Sequence, residues 1–162
     1  MKTLLLLRHA KSDWGAAHQS DHERPLNERG VRSAQLIGRL LADRDEQPDL
    51  VISSTAVRTL ATAELAVDAG GWDAEIVLEP ALYGSGPESV LGVAARAPDV
   101  SRLMLVGHQP TWSVVVGLLS GSRVDMRTAC VASIELFIDS WGEVSEANGV
   151  LNYLINPRMF FG

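Results

Sequence analysis

Short apolar runs alternate with longer amphipathic stretches along most of the chain. A continuous apolar run is typical of a strand that is buried on both faces of a parallel sheet. Such runs predict strands at residues 3–7, 50–52 and 103–106, with a weaker fourth at 75–78. Residues 130–138 alternate between small or polar and apolar side chains, and residues 150–155 are β-branched and aromatic. These two segments predict further strands that include an antiparallel edge pair.

The segments between these runs predict four helices. Asn27 can cap a helix that continues to about residue 43, with apolar side chains recurring along one side. Thr55 can cap a second helix that continues to about residue 67. A third begins at Gly86-Pro87-Glu88, because proline is favoured at the first helical position and an acidic residue in the first turn. A fourth begins at Gln109-Pro110 and continues to about residue 119.

The alternation of strands and helices predicts an α/β fold with helices on both faces of the sheet. The chain has 162 residues, of which 46% are hydrophobic and 21% are charged. This length suffices for one buried core and hardly for two. We therefore predict a single domain over residues 1–162, with three α/β/α layers around a mostly parallel central sheet, and we expect a monomer.

The charge balance and the single cysteine exclude several classes of protein. Fourteen basic and twenty acidic residues give a formal net charge of -6, which disfavours nucleic acid as a partner. Cys130 is the only cysteine, so an internal disulfide is excluded and a reducing compartment is favoured. No apolar run is long enough for a membrane span or a signal peptide. We expect a cytoplasmic protein that binds no membrane.

Four basic residues follow the predicted strands at the points where those strands end. Arg8 and His9 follow the first strand, Arg58 lies in the first turn after the second, and His108 follows the third. Because the carboxyl ends of parallel strands meet at one edge of the sheet, we expect these side chains to converge there with two helix N-termini. Each residue alone is more often structural. Together, without a nearby acidic partner, they would repel one another unless an anion lay between them.

Phosphate is the anion that suits this set, since guanidinium groups match its oxygens in geometry and charge. The segments "LLLRHAKSDW", "SSTAVRTLATAE" and "LVGHQP", in this order, resemble the histidine phosphatase superfamily from residue 2 to about 120. The segment "DHERPLNERG" and the short chain are similar to its SixA-type branch of phosphohistidine phosphatases. This resemblance implies a phosphoglycerate mutase-like fold. It also implies His9 as the nucleophile, a phosphate pocket completed by Arg8, Arg58 and His108, and catalysis without a metal or other cofactor.

The chemistry of these residues agrees with such roles. A neutral imidazole can attack phosphorus and form a phosphohistidine that water then hydrolyses. Arg8, Arg58 and a protonated His108 would stabilise the equatorial oxygens of the phosphoryl group. Lys11 and Ser12, in the loop after His9, are candidate substrate contacts.

The sequence departs from the family pattern at several points. Ala10 replaces the glycine of most members, and Gln109 stands where this branch often has asparagine. Many members carry a glutamate shortly before an aromatic–glycine pair, whereas "LEPALYG" places Pro80 near that position. Glu88 is a possible general acid, although an acidic residue there also stabilises the start of its own helix. Weak acid machinery favours a leaving group that departs easily, such as the imidazole of phosphohistidine.

We therefore predict a phosphatase that works through a phosphohistidine intermediate, with a phosphohistidine protein or a small phosphorylated molecule as its substrate. The first alternative is a small-molecule phosphomonoesterase of the same superfamily. A non-catalytic module that binds a phosphorylated ligand is disfavoured, because a binder needs no nucleophile. A phosphoglycerate mutase is disfavoured because the chain is too short for the insertions that would hold its substrate.

Three further signals have structural interpretations. His18 and His22 have the spacing of metal ligands on a helix, but they lie in a polar loop without a third patterned ligand, so we expect no metal site. Arg24 is predicted to anchor this long loop by pairing with a carboxylate. Cys130 is interpreted as a buried strand thiol.

Overall fold

A computed structural model of the protein describes residues 1–17, 20–145 and 149–161. Its six strands form one sheet in the order β3-β2-β4-β1-β5-β6. The strands are β1 (Lys2–Arg8), β2 (Leu50–Ser53), β3 (Glu75–Leu78), β4 (Arg102–Gly107), β5 (Val131–Leu136) and β6 (Gly149–Ile155). The pairs β1–β4, β2–β4 and β2–β3 are parallel, whereas β5 is antiparallel to both β1 and β6. The predicted mostly parallel sheet with an antiparallel pair at one side is confirmed.

Four α-helices lie within the described residues. They are α1 (Glu28–Asp43), α2 (Val57–Gly70), α3 (Pro87–Ala95) and α4 (Thr111–Ser120). Asn27 caps α1 as predicted, because its side chain accepts a hydrogen bond from the Gly30 amide. In these described ranges no helix has the length and apolar character needed to cross a membrane.

The predicted cap of α2 is wrong. The helix begins at Val57, since the backbone of Ala56 is still extended. The Ala56 amide donates a hydrogen bond to Ser54 Oγ rather than to the Thr55 side chain. Thr55 Oγ1 instead lies 2.8 Å from His22 Nε2. The Thr55 hydroxyl therefore contacts His22 of a distant loop and does not cap α2, although its position in the sequence predicts a cap.

Alternation along the strands divides the core into two layers. Leu4 and Leu6 of β1 pack with Trp112 of α4 on one face of the sheet. Leu5 and Leu7 pack with Ile37 of α1 on the other face. All four leucines are fully buried, as expected for a strand covered by helices on both sides. The predicted three-layer α/β/α arrangement is confirmed.

The register of the sheet brings three strand ends to one level. Arg8, the last residue of β1, is opposite Gly107 at the end of β4. The His9 amide continues this pairing by donating to the Gly107 carbonyl at 3.0 Å. Ser53, the last residue of β2, is opposite Val106. The residues that follow β1, β2 and β4 therefore enter the same space above the sheet edge.

Close packing of α1 on α2 depends on Gly38. A Cβ atom at Gly38 would lie 2.2 Å from the Ala66 carbonyl oxygen of α2, which real structures do not tolerate. We expect Gly38→Ala to lower the free energy of unfolding by about 1–3 kcal/mol because the helices must separate. The measurement is urea unfolding followed by circular dichroism.

A matched substitution in α3 provides the control. A Cβ atom at Gly92 would meet only the Arg96 Nη1 atom, at 3.4 Å. Gly92→Ala should raise the free energy of unfolding by about 0.5–1 kcal/mol, since alanine favours the helix. Opposite signs for the two variants are expected, and a neutral Gly38→Ala would contradict the close packing.

Candidate active site

A pocket of about 370 Å³ opens at this edge of the sheet and contains all four residues that the sequence predicts to converge. Its lining residues are Arg8, His9, Asp21, Arg24, Arg58, Tyr83, Gly84, His108 and Gln109. The end of β1 supplies Arg8 and His9, the first turn of α2 supplies Arg58, and the turn after β4 supplies His108. The predicted convergence at the carboxyl ends of the strands is thus observed.

His9 is a buried and neutral imidazole. Only 7% of the residue is exposed, and its Nδ1 atom lies 2.8 Å from the Ala10 carbonyl oxygen. Because a carbonyl only accepts, Nδ1 carries the proton and Nε2 keeps its lone pair. Burial is the main cause that lowers the pKa of His9 to about 3, and the charges of Arg58 and Arg8 lower it further. A ring with this protonation can act as a nucleophile at neutral pH.

His108 lies beside His9, with 5.5 Å between the ring centroids. Its Nε2 is 2.8 Å from Ser54 Oγ, and Arg58 Nη2 lies 3.5 Å from its Nδ1. Burial first, and then the charge of Arg58, lower the pKa of His108 to about 4. In the ligand-free pocket His108 is therefore neutral, because burial and the neighbouring guanidinium disfavour a second positive charge. The protonated His108 expected beside a bound phosphoryl group stays a prediction.

The expectation that these cations have no acidic partner is also wrong. Asp21 accepts two hydrogen bonds from Arg58, with Arg58 Nη2 2.9 Å from Oδ2 and Nη1 2.7 Å from the backbone oxygen. Arg24 Nη2 lies 2.9 Å from the other carboxylate oxygen, Oδ1. Both arginines are about 95% buried, at 5% and 4% exposure, whereas the Asp21 side chain is half exposed. Arg24 thus anchors the long loop through a carboxylate, as predicted.

The Asp21 carboxylate is held ionised by these contacts. The hydrogen bond from Arg24 contributes most to lowering its pKa, with further contributions from Tyr83 and Arg58. Tyr83 donates its hydroxyl proton to Oδ2 at 3.0 Å. An ionised carboxylate of this kind can orient cations, but it cannot donate a proton.

Sequence reasoning missed two residues that shape the pocket, Asp21 and Tyr83. The edge of the Tyr83 ring meets His108 at 5.4 Å and His22 at 4.8 Å between centroids. The sequence carried a signal for each, since Asp21 begins "DHERPLNERG" and Tyr83 belongs to the aromatic–glycine pair of "LEPALYG". Neither signal says which residue it would contact, because the partners are distant in sequence.

Three other predicted residues lie outside this pocket. Lys11 is exposed and lines a neighbouring pocket that also includes Arg8. Ser12 is buried and its hydroxyl accepts a hydrogen bond from Arg24. Glu88 is exposed in the first turn of α3, where its carboxylate lies over Gly86 at the start of the helix. Glu88 therefore lies where it stabilises the start of α3, which was the alternative to its role as general acid.

The structure offers no metal site within residues 1–17, 20–145 and 149–161, where three or more metal-binding side chains do not converge. His22, one of the two histidines with metal-like spacing, has its Nε2 at a hydrogen-bond distance from Thr55. The other, His18, lies outside the described residues. Cys130 is buried, and burial raises the pKa of its thiol.

Comparison with known proteins places this geometry in a family. The sequence profile of the histidine phosphatase superfamily (branch 1) matches residues 4–84. An uncharacterized chloroplastic protein of Arabidopsis thaliana is 31% identical over 159 residues, which cover 91% of this chain and 72% of that protein.

Solved structures share the fold over almost the whole chain. A candidate phosphohistidine phosphatase SixA from Agrobacterium tumefaciens is 29% identical, with a TM-score of 0.79 over 96% of this chain and 98% of that chain. A protein histidine phosphatase SixA complexed with tungstate is 22% identical, with a TM-score of 0.80 over 98% of this chain and 99% of that chain. The second likeness concerns the fold alone.

The shared carboxylate of Asp21 predicts a stability effect. We expect Asp21→Asn to lower the free energy of unfolding by about 1–3 kcal/mol, because two buried guanidinium groups lose their counter-charge. Asp125→Asn is the control, since Asp125 pairs with Arg127 at 2.9 Å where both side chains are mostly exposed. That variant should change stability by at most about 0.5 kcal/mol. Urea unfolding measures both, and equal losses would contradict the role of Asp21.

The buried neutral histidines predict an acid dependence of stability. The pKa values of His9 and His108 are lowered to about 3 and about 4 from an unfolded value of 6.5. Between the folded and the unfolded pKa values, the unfolded state therefore binds more protons than the folded state. The free energy of unfolding should therefore fall as pH decreases from about 6.5 towards 4. We expect a shallower fall in the double variant His9→Asn/His108→Asn. Urea midpoints at several pH values measure this, and parallel curves would overturn it.

Proposed function

Because the chain belongs to the histidine phosphatase superfamily, we propose that it is a phosphatase in which His9 is the nucleophile. The observation that carries this proposal is the buried, neutral His9 ring, which shares one pocket with Arg8 and Arg58 and lies 5.5 Å from the His108 ring. We propose phosphohistidine in a protein as the substrate. The SixA neighbour from Agrobacterium tumefaciens, which bears the name of a phosphohistidine phosphatase, supports this choice.

The proposed reaction has two steps. In the first, His9 Nε2 attacks phosphorus, so that a new P–N bond forms while the bond from phosphorus to the leaving group breaks. Arg8 and Arg58 stabilise the equatorial oxygens, which carry the charge of the transition state, and His108 adds to this stabilisation once it takes up a proton beside the bound phosphoryl group. In the second step, water attacks the phosphohistidine, phosphate leaves, and the electron pair of the P–N bond returns to Nε2.

The lack of a carboxylic acid that could donate a proton, among the described residues of the pocket, favours phosphohistidine over a phosphate ester. Asp21 is the only carboxylate among the described residues that line the pocket, and its contacts with Arg24 and Arg58 keep it ionised. The leaving group must therefore depart without a proton from a carboxylic acid. The second ring nitrogen of phosphohistidine can take a proton from solvent, so that the leaving group departs as neutral imidazole, whereas an alkyl ester would have to expel an alkoxide. A P–N substrate therefore suits the site.

A phosphomonoesterase remains the second candidate, because Tyr83 also lines the pocket and a phenol can donate a proton. A module that only binds phosphorylated ligands suits the site less well, since burial keeps His9 neutral and nucleophilic. We also propose a cytoplasmic location, because the buried single thiol of Cys130 fits a reducing compartment. A monomer stays our expectation for a single compact domain.

The test follows the phosphoryl group from substrate to enzyme. The wild type is incubated with a phosphohistidine protein and with p-nitrophenyl phosphate, and the acid-quenched and alkali-quenched enzyme is assayed for bound phosphate. We expect the wild type to carry covalently bound phosphate, which we call the label and which is stable in alkali and labile in acid. We also expect faster turnover of phosphohistidine than of the ester.

Two histidine variants separate the roles within the same pocket. His9→Gln should lose the label and lower turnover at least about 1,000-fold, as expected when a nucleophile is removed. His108→Gln should keep the label at a lower rate, since only transition-state stabilisation is reduced. Label on His9→Gln would refute His9 as the nucleophile. Absence of turnover of both substrates by the wild type would refute the proposal that the protein is a phosphatase. Much faster turnover of the ester would favour the phosphomonoesterase.

A further inference from the structure

A second concentration of positive charge adjoins the catalytic pocket. A pocket of about 250 Å³ shares Arg8 with the catalytic pocket, and a larger one of about 520 Å³ continues from it through Arg29 and Arg158. We call the cations along these two pockets the basic stripe. Its members are Lys11, Arg29, Arg32, Arg127 and Arg158.

The basic stripe is unusual in an acidic protein. With Arg8 it holds six of the 14 basic residues of a chain whose net charge is -6. Of its five members only Arg127 has an ion pair in the described ranges, with Asp125. No acidic residue is among the described residues that line the two pockets. Cations grouped this closely repel one another, which destabilises the free protein. An anionic partner bound at the basic stripe would remove this repulsion.

We propose that the basic stripe docks an acidic segment of the protein that carries the phosphohistidine. This inference rests on the proposed function, because it takes the substrate to be a phosphoprotein. Arg8 borders both the catalytic pocket and the first pocket of the stripe. A phosphorylated side chain in the catalytic pocket would therefore be continuous with a chain lying along the stripe.

The shape and composition of the stripe favour a polypeptide over a small anion. Two adjoining pockets that share Arg29 and Arg158 suit an extended chain with several carboxylates better than one compact group. The second pocket is also lined by Phe161. Arginine and aromatic residues are the types enriched in protein–protein interfaces. Exposed charges of this kind act mainly on the association of partners, and salt screens them.

The experiment compares two synthetic peptides that differ only in charge. Each carries one phosphohistidine, followed by four glutamates in one peptide and four glutamines in the other. Free phosphohistidine serves as a substrate that cannot reach the stripe. We expect kcat/KM of the wild type to be about tenfold higher for the glutamate peptide in 50 mM salt, and this preference to disappear in 500 mM salt.

Matched charge variants at the two ends of α1 locate the effect. Arg29 and Arg32 are exposed in the first turns of the helix, whereas Arg39 and Arg44 are exposed towards its other end. Arg29→Gln/Arg32→Gln should lose most of the preference for the glutamate peptide while free phosphohistidine is turned over within about twofold of the wild-type rate. Arg39→Gln/Arg44→Gln removes the same charge and should keep the preference. Loss of preference in this control would overturn the assignment to the stripe.

Binding of the unphosphorylated peptides separates this inference from the proposed function. Fluorescence anisotropy should show tighter binding of the glutamate peptide by the wild type and the control variant, and weaker binding by Arg29→Gln/Arg32→Gln. This result would support docking even if no phosphohistidine substrate were turned over, in which case the proposed function alone would fail. Equal binding and equal turnover of the two peptides would overturn docking. If inorganic tripolyphosphate bound at the basic stripe and the protein showed no preference between the peptides, docking of an acidic segment would be overturned and the stripe would be a site for a small polyanion.

Discussion

The carboxylate of Asp21 is the contact on which the arrangement of the pocket depends. Arg58 and Arg24 are both almost fully buried, and each reaches a different oxygen of this one group. Two guanidinium groups cannot be buried side by side without a counter-charge, since desolvation alone costs several kcal/mol per ion. Arg8 has no carboxylate partner in the described residues. One carboxylate balances only half of the charge of Arg58 and Arg24, and Arg8 adds a further cation, so the pocket keeps a net positive charge that suits an anion.

Burial of the sheet also determines the chemistry of His9. His9 lies two residues beyond four leucines that have no exposed surface, and it is itself almost fully buried. This burial lowers the pKa of His9, and the nearby Arg8 and Arg58 lower it further. The same two arginines would attract the oxygens of a phosphoryl group. One set of charges therefore both keeps the proposed nucleophile neutral and draws its substrate towards it.

The features that the sequence predicts are those with a local pattern or a general topological rule. Buried parallel strands leave apolar runs, and the carboxyl ends of such strands meet at one edge, so the convergence of Arg8, His9 and His108 could be foreseen. The partnership of Asp21 with Arg58 could not, because it joins a loop without periodicity to a helix 37 residues away. The predicted start of α2 is wrong for the same reason, since the Thr55 hydroxyl lies against His22 of the distant loop.

The net charge of the chain and the proposed acidic partner are compatible because electrostatic forces in the cell have a short range. At physiological ionic strength the screening length is about 8 Å, so a partner near the basic stripe is affected by its cations more than by the total charge of -6. Acidic surface elsewhere would repel the same partner. Attraction at one face and repulsion at the others favour the orientation in which a phosphorylated side chain meets Arg8. An acidic protein with one basic stripe is therefore better suited to orienting such a substrate than a uniformly basic protein would be.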